Sequence, residues 1–519
     1  MAEIKNIGLI FSRITKANKY FLFAFILLFF LYHLATIKVS PIPWFDETFF
    51  ASITASFNST QKLNLNIAPF AYNGEILLYG PVFFWITSFF TKTLGFDIFS
   101  FRLPGLVFGT LCLLVYYKVV RISFSKETAL MVVAALALDP LFNSHMHYGR
   151  MEPVTLFFAL TSIFVVLKAM SSSYRNSRSI LLYALAGLLF SLALLTTPRV
   201  GVLLLGLGIT QVYYLLKKPS NARALQLVVF SGSVVLVYVC WIFVAFGSLH
   251  NLVNYYLDFH GYIGGGFSFP KQQIPLIFIT TVSGIAWGLV SYKRRMPELI
   301  VFSMVSAILY YSLVHDTGTY SLLILPACYT IIGSSVALLL KQRSLKSYSR
   351  LLVAAPILTI VLFNLLFFTI KFFTIYNTLD SRDPKYIDAF IKSYIPPNSK
   401  VIGDEIYYYA VSSANSDFQY IHLYKDDISR EHYQRKIYGY DFIVMSHDLN
   451  RDRPELLQLY QRNSDLVKIA EFTQLSDNNF PLIDKVSSFF RVTVRSSYDC
   501  TIYKRVKEGK RLRTYFPVE

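Results

Sequence analysis

Apolar residues in this chain run in long blocks rather than at the 3.6- or 2.0-residue spacing of a soluble domain. Residues 20–32, 181–195, 227–246 and 351–373 are nearly unbroken apolar stretches. With their flanks they match the roughly 20-residue helix that crosses a bilayer. The hydropathy pattern predicts about eleven such helices, near residues 20–38, 101–119, 128–141, 152–170, 180–197, 199–216, 224–247, 274–292, 297–314, 320–340 and 351–372. The first follows a basic N-terminal stretch without a small-residue cleavage site, and so reads as a retained span. The predicted class is a polytopic α-helical membrane protein.

After Phe373 the pattern changes. Residues 400–406, 441–445 and 492–494 have strand character, 386–394 and 454–462 have helical spacing, and a turn cluster at 395–400 separates two of them. The division expected is a membrane domain over 1–372 and a soluble α/β domain over 373–519. An outer loop at 39–100 carries an aromatic-rich stretch, 79–90, expected to lie along the interface. No nucleotide-binding glycine motif or hydrolase motif occurs in the tail.

Composition agrees: 54% of the 519 residues are hydrophobic and 15% charged, whereas soluble domains carry charge on about a quarter of their residues. The net charge of +18 invites a nucleic-acid reading, but its distribution argues against one. Residues 1–370 hold 27 Lys and Arg against 11 Asp and Glu, and residues 371–519 hold 22 against 20. The membrane part thus carries an excess of 16, concentrated in alternate loops, which sets topology by the positive-inside rule. That orientation puts the N-terminus in the cytoplasm and the C-terminal domain outside. Three of the four cysteines, Cys112, Cys240 and Cys328, lie in apolar runs, so no disulfide framework or CxxC metal pattern is available.

The outer side collects the acids. Asp46 and Glu47 stand in Pro41-Ile-Pro-Trp-Phe-Asp-Glu-Thr-Phe-Phe50, where the prolines stop the first span and the acidic pair opens a helix. Acids there can simply cap the helix, or one can serve as a general base for an acceptor hydroxyl. Arg150 and Glu152 open the fourth span, either as an ion pair marking a helix start or as part of a site. Among the outer cations and hydroxyls Arg102, Arg199, Lys271, His315 and Tyr320, snorkelling to the headgroups is the expectation for Arg102 and Lys271. Arg199 in Thr197-Pro-Arg199 is flanked by apolar segments and calls for an anion such as a phosphate. Residues 258–266, Asp-Phe-His-Gly-Tyr-Ile-Gly-Gly-Gly, read as a mobile loop over the entrance rather than a metal site.

The order of these motifs resembles the GT-C superfamily of membrane glycosyltransferases, in its protein O-mannosyltransferase and lipid A aminoarabinose transferase branch. The resemblance rests on Asp46-Glu47 within Phe-Asp-Glu-Thr-Phe-Phe, Leu78-Tyr-Gly-Pro-Val-Phe-Phe-Trp85, Phe101-Arg-Leu-Pro-Gly105 and Gly149-Arg-Met-Glu-Pro-Val154. Leu195-Thr-Thr-Pro-Arg-Val-Gly201 and the stretch from His315 through Tyr320 to Pro326 complete it. It implies a GT-C-like bundle with its site at the outer surface. A polyprenyl-phosphate-linked sugar would be the donor and a glycolipid, glycan or protein hydroxyl the acceptor. It implies Asp46 as catalytic base, with Glu47 and Glu152 in support, and leaves open a divalent metal ion on Asp46 and Glu152. Arg199, Tyr320, Arg150, Lys271 and His315 would bind the donor phosphate. The chain departs from the aminoarabinose transferases at Tyr79-Gly80, where they carry an acidic-basic pair, and has Arg199 in place of their lysine. A prokaryotic inner membrane is the expected location. The alternative is a secondary transporter or lipid flippase, against which stand the surface placement of the charges and the absence of an internal repeat.

Overall fold

A computed structural model describes residues 18–67, 75–171, 177–263, 274–291, 297–313, 319–340, 347–421, 440–452, 466–473 and 497–506, with 454 and 485 besides. The chain forms two compact units. One comprises Met1–Ala35, Leu77–Ile86 and Leu103–Thr369, the other Thr36–Ile76, Thr87–Arg102 and Ile370–Glu519.

The helices run in chain order as α1 (Asn18–Thr36), α2 (Phe45–Thr60), α3 (Val82–Leu94), α4 (Ile98–Ser123), α5 (Lys126–Ala137), α6 (Pro140–His145), α7 (Glu152–Ser171), α8 (Ser177–Leu194), α9 (Gly201–Lys217) and α10 (Asn221–Phe246). There follow α11 (Leu249–Ile263), α12 (Ile274–Ser291), α13 (Glu298–Leu313), α14 (Leu325–Leu340) and α15 (Ser347–Asn377). Among the described residues five helices are long and apolar enough to cross a membrane: Ile98–Ser123, Glu152–Met170, Pro198–Lys217, Asn221–Phe246 and Leu358–Asn377. Six shorter apolar helices accompany them, at Leu22–Thr36, Val82–Leu94, Arg178–Leu194, Leu276–Ile285, Glu298–Leu313 and Leu325–Leu338. A helix stands at each expected span, but the one at 128–141 is the 12-residue Lys126–Ala137, which belongs to neither group, and Val82–Leu94 stands where no span was expected.

Two boundaries differ from expectation for local reasons. The third expected span, 128–141, stops at Ala137 because Asp139 caps the next helix, accepting from the amides of Leu141 and Phe142 ahead of Pro140. Asp258 through Ile263, expected in a loop, continue α11; the glycines at 264–266 lie outside the described residues.

In the first unit α7 packs on α8, α8 on α10, α9 on α13, and α14 on both α12 and α13. At Gly187 on α8 a Cβ would stand 2.6 Å from the carbonyl oxygen of Phe230 on α10. Only glycine admits so close a crossing, the small-residue packing typical of helices in lipid.

In the second unit, short α16 (Leu379–Arg382) and α17 (Pro384–Tyr394) lead into β1 (Lys400–Gly403), α18 (Tyr408–Ser413), β2 (Asp417–Tyr420), β3 (Phe442–Ser446), α19 (His447–Asp452), β4 (Leu466–Phe472) and β5 (Cys500–Arg505). The sheet order is β2-β1-β3-β5-β4, parallel through β2, β1 and β3 and antiparallel through β5 and β4. β3 is buried along its whole length, as the central strand of a sheet covered on both faces must be. The sequence reading finds β1, β3 and α17, while the strand expected at 492–494 and most of the helix at 454–462 lie outside the described residues.

The tail shares its unit with much of the outer loop. Tyr420 of β2 donates its amide to the Ile67 carbonyl, and its ring lies 5.0 Å from that of Phe45 on α2. Polar side chains join α2 to the second half of α3: Thr54 to Thr87 at 2.9 Å, Asn58 to Thr91 at 3.0 Å, and Ser88 to Asn58 at 2.6 Å.

Candidate functional site

In the first unit three separate stretches converge. Gly80 lies so close to the end of α8 that a Cβ would stand 2.1 Å from the Leu195 carbonyl oxygen, and Val82 donates its amide to that oxygen. The Tyr79-Gly80-Pro81 stretch is thereby fastened to the turn that Thr197-Pro-Arg199 begins. That turn is a 3-10 segment, Pro198–Val200, and it touches α7, as does the 3-10 segment Thr319–Leu323.

The result is a stack of charge and aromatic faces. The Arg199 guanidinium lies 3.5 Å from the centre of the Tyr320 ring and 5.9 Å from that of Tyr79, with Nη1 3.5 Å from the Tyr79 hydroxyl. Arg150 lies 5.3 Å from the Tyr320 ring centre. Its Nε and Nη2 donate to the two carboxylate oxygens of Glu152 at 2.9 and 2.7 Å. Arg150 and Glu152 are fully buried, so the pair holds its geometry while Glu152 neutralises Arg150. Arg199, half-buried, has no carboxylate within 4 Å among the described residues. A guanidinium held by two aromatic faces and a tyrosine hydroxyl, without a carboxylate directly paired to it among the described residues, suits an anion. Next to the Tyr79-Gly80 stretch lies a small cavity of about 10 Å³ lined by Leu78, Gly80, Leu195, Trp241, Ile242 and Tyr256, among others.

In the second unit the acidic pair opens α2. The cap residue is Trp44, which makes no side-chain cap bond, and both acids fall in the first turn, where the helix dipole favours them. Asp46 is half-buried. Glu47 is fully buried and accepts from Arg102 Nε at 2.6 Å and Nη2 at 2.7 Å. Arg102 Nη1 donates to the Ile37 carbonyl at 2.8 Å. The expectation that Arg102 snorkels is therefore wrong: the side chain has no exposure, because Glu47 and the freed carbonyl at the end of α1 supply acceptors. The Tyr409 hydroxyl of α18 lies 3.4 Å from Glu47. Burial pushes the Glu47 carboxyl above its ordinary range, with Arg102 and Tyr409 pulling it down.

Two expected phosphate ligands, Lys271 and His315, lie outside the described residues. Among the described residues no three His, Cys, Asp or Glu side chains converge on a point that holds a metal ion. Both oxygens of Glu152 face Arg150, and both of Glu47 face Arg102, so these two carboxylates do not fit a first coordination sphere. Tyr79 and Tyr409 were not singled out from sequence. For Tyr79 the signal is the following Gly-Pro, which marks a backbone that must approach another closely. For Tyr409 there is none, since its partner is 362 residues away.

Residues 79–248 match the family model of dolichyl-phosphate-mannose-protein mannosyltransferase, a segment containing Tyr79, Arg150, Glu152 and Arg199. An uncharacterised protein of Aquifex aeolicus (strain VF5) is 30% identical over 178 residues, 34% of this chain and 34% of that one. That match thus spans about a third of the relative's length. In three dimensions the chain is similar to ArnT from Cupriavidus metallidurans, solved bound to undecaprenyl phosphate. The TM-score is 0.61, with 13% identity over 94% of this chain and 98% of that one. It is also similar to the oligosaccharyltransferase of Archaeoglobus fulgidus, solved with a tethered acceptor peptide, at a TM-score of 0.51 and 11% identity over 91% and 72% of the two chains. The chain has the fold of ArnT and of that oligosaccharyltransferase.

Proposed function

We propose that this protein is an integral-membrane glycosyltransferase that moves a sugar from a polyprenyl-phosphate donor to an acceptor hydroxyl on the outer side of the membrane. The observation that carries the reading is Arg199, a guanidinium packed on Tyr320 and Tyr79 with no carboxylate within 4 Å among the described residues. ArnT of the same fold was solved with undecaprenyl phosphate, the kind of group this cation suits.

In the proposed reaction the acceptor oxygen attacks the anomeric carbon as the bond from that carbon to the phosphate oxygen breaks. The phosphate leaves with the electron pair, and the acceptor proton passes to Asp46 as general base. Arg199 stabilises the charge that builds on the leaving phosphate. Arg150, paired with Glu152, backs the Tyr320 ring on which Arg199 packs. Lys271 and His315 remain proposed phosphate ligands. Glu47, clamped by Arg102, fixes the first turn of α2 and so the direction in which Asp46 points. No metal step is included, because the supporting carboxylates are occupied by guanidinium groups. A single displacement inverts the anomeric configuration.

The test is transfer from a radiolabelled polyprenyl-phosphate sugar by purified protein given a membrane extract as acceptor. Label should leave the donor with inverted anomeric configuration, and Asp46→Asn should fold normally and lose transfer. Retained configuration, or transfer at the parent rate by a folded Asp46→Asn protein, refutes the assignment.

A further inference from the structure

The second unit contains a cavity of about 130 Å³. At about 10–15 Å³ for each water position it holds on the order of ten water-sized groups, which is the scale of one sugar ring. Its walls come from the loop before α2 (Lys38, Pro43), the start of α4 (Phe96, Asp97), α17 (Asp383, Lys385, Asp388) and α18 with the segment before β5 (Tyr409, Ser413, Tyr498).

The lining has three features. Rings of Phe96, Tyr409 and Tyr498 provide apolar faces, with those of Phe96 and Tyr409 6.1 Å apart. Two lysines are already matched by acids: Lys38 with Asp97 at 3.4 Å and Lys385 with Asp383 at 2.8 Å. Asp388 makes no hydrogen bond among the described residues and shares a wall with Tyr498, with the positive charges of Lys392 and Lys38 acting on it. Tyr498 is 2% exposed, and its hydroxyl likewise has no hydrogen-bond partner among the described residues. Asp388 is half-buried, so this wall offers a ligand a carboxylate acceptor and a phenol that can donate or accept. Tyr409 ties the cavity to the acidic pair, its ring on the wall and its hydroxyl toward Glu47.

We propose that this cavity is the acceptor subsite, and that it takes a neutral or amine-bearing sugar residue and rejects an acidic one. Hydroxyl or ammonium groups of such a ring donate to Asp388 and exchange hydrogen bonds with Tyr498 and Ser413, while its C–H faces lie on the aromatic rings. A carboxylate-bearing sugar meets a lining in which three acids, Asp97, Asp383 and Asp388, face two lysines, Lys38 and Lys385. The assignment of the bound sugar as acceptor rests on the glycosyltransferase reading; the binding itself does not.

The experiment uses the full chain in detergent or nanodiscs and measures binding by saturation-transfer NMR and competition, with methyl mannoside, methyl glucosaminide and methyl glucuronide as probes. The first two should bind, and the glucuronide at least about 10-fold more weakly. Asp388→Asn, nearly isosteric, should lose the preference for the amine and narrow the gap to the glucuronide. Ser413→Phe, filling the cavity and checked for folding by its melting curve, should abolish binding of all three. Glucuronide binding as tight as the others, binding unaffected by Ser413→Phe, or no sugar binding at high millimolar concentration overturns the proposal. Polyprenyl phosphate titrated into the same samples separates the two claims. Sugar binding without phosphate binding leaves the cavity standing and sinks the transferase reading, and the converse sinks only the cavity.

Discussion

Replacing Arg102 by alanine removes one member of an ion pair in which both side chains have no exposure. Glu47 then keeps a buried carboxylate with only the 3.4 Å approach of Tyr409, and the Ile37 carbonyl loses its donor. Breaking a buried pair from one side costs about 3–5 kcal/mol, and the carbonyl adds about 1 kcal/mol. In a unit of roughly 200 residues, each kcal/mol lowers the melting temperature by about 2–4 °C, so a fall of about 8–24 °C is expected. Thermal unfolding of the purified protein, followed by tyrosine fluorescence and by protection of Cys500, which is buried in β5, measures it. The double variant Glu47→Leu with Arg102→Met removes both charges, and should recover most of the loss because apolar replacement of a whole buried pair is close to neutral. A single variant within about 1 kcal/mol of the parent, or a double variant less stable than the single one, refutes the view that the pair fixes the start of α2.

Arg199→Ala should weaken polyprenyl phosphate binding about 10- to 150-fold, the equivalent of a charged hydrogen bond of about 1.5–3 kcal/mol; Arg199→Lys should fall between, since lysine keeps the charge and loses the stacking on Tyr320. Isothermal titration with the lipid phosphate reads both. Gly80→Ala drives a methyl into the Leu195 carbonyl, costing about 1–3 kcal/mol by overpacking and displacing Tyr79 from Arg199, so a melting curve and the same titration should both move. Asp388 has its pKa pushed up to about 6 by burial, with Asp97 and Asp383 adding to the rise and Lys392 and Lys38 opposing it. The folded state thus holds this proton more tightly than the unfolded chain, and the group lowers stability as pH rises from about 4 to 6. Asp388→Asn should therefore stabilise the protein at pH 7.5 and have little effect at pH 4, as read by paired denaturant titrations.

Much of this molecule is written locally. A run of apolar residues as long as a bilayer is thick forms a helix wherever it lies, so every expected span is a helix. Errors fall where a short polar signal overrides the run, as at Asp139, whose carboxylate takes two amides and ends α5 early. Arg199 was legible because a cation between apolar segments has few physical options. Arg102 misled, since its sequence neighbours look like those of a snorkelling residue and its partner lies 55 residues back. The same distance problem hides the cavity, whose walls come from five stretches between Lys38 and Tyr498. Strands β2, β4 and β5 are hard to read from sequence because each carries polar residues at positions the sheet leaves partly or fully exposed.

The central claim is that Asp46 takes the acceptor proton while Arg199 holds a departing lipid phosphate. Single-turnover transfer from a labelled polyprenyl-phosphate sugar, with donor binding measured in the same samples, addresses it most directly. The account predicts that Asp46→Asn binds donor like the parent and transfers nothing, whereas Arg199→Ala loses donor binding first. Full transfer by Asp46→Asn, or undiminished donor binding by Arg199→Ala, contradicts it.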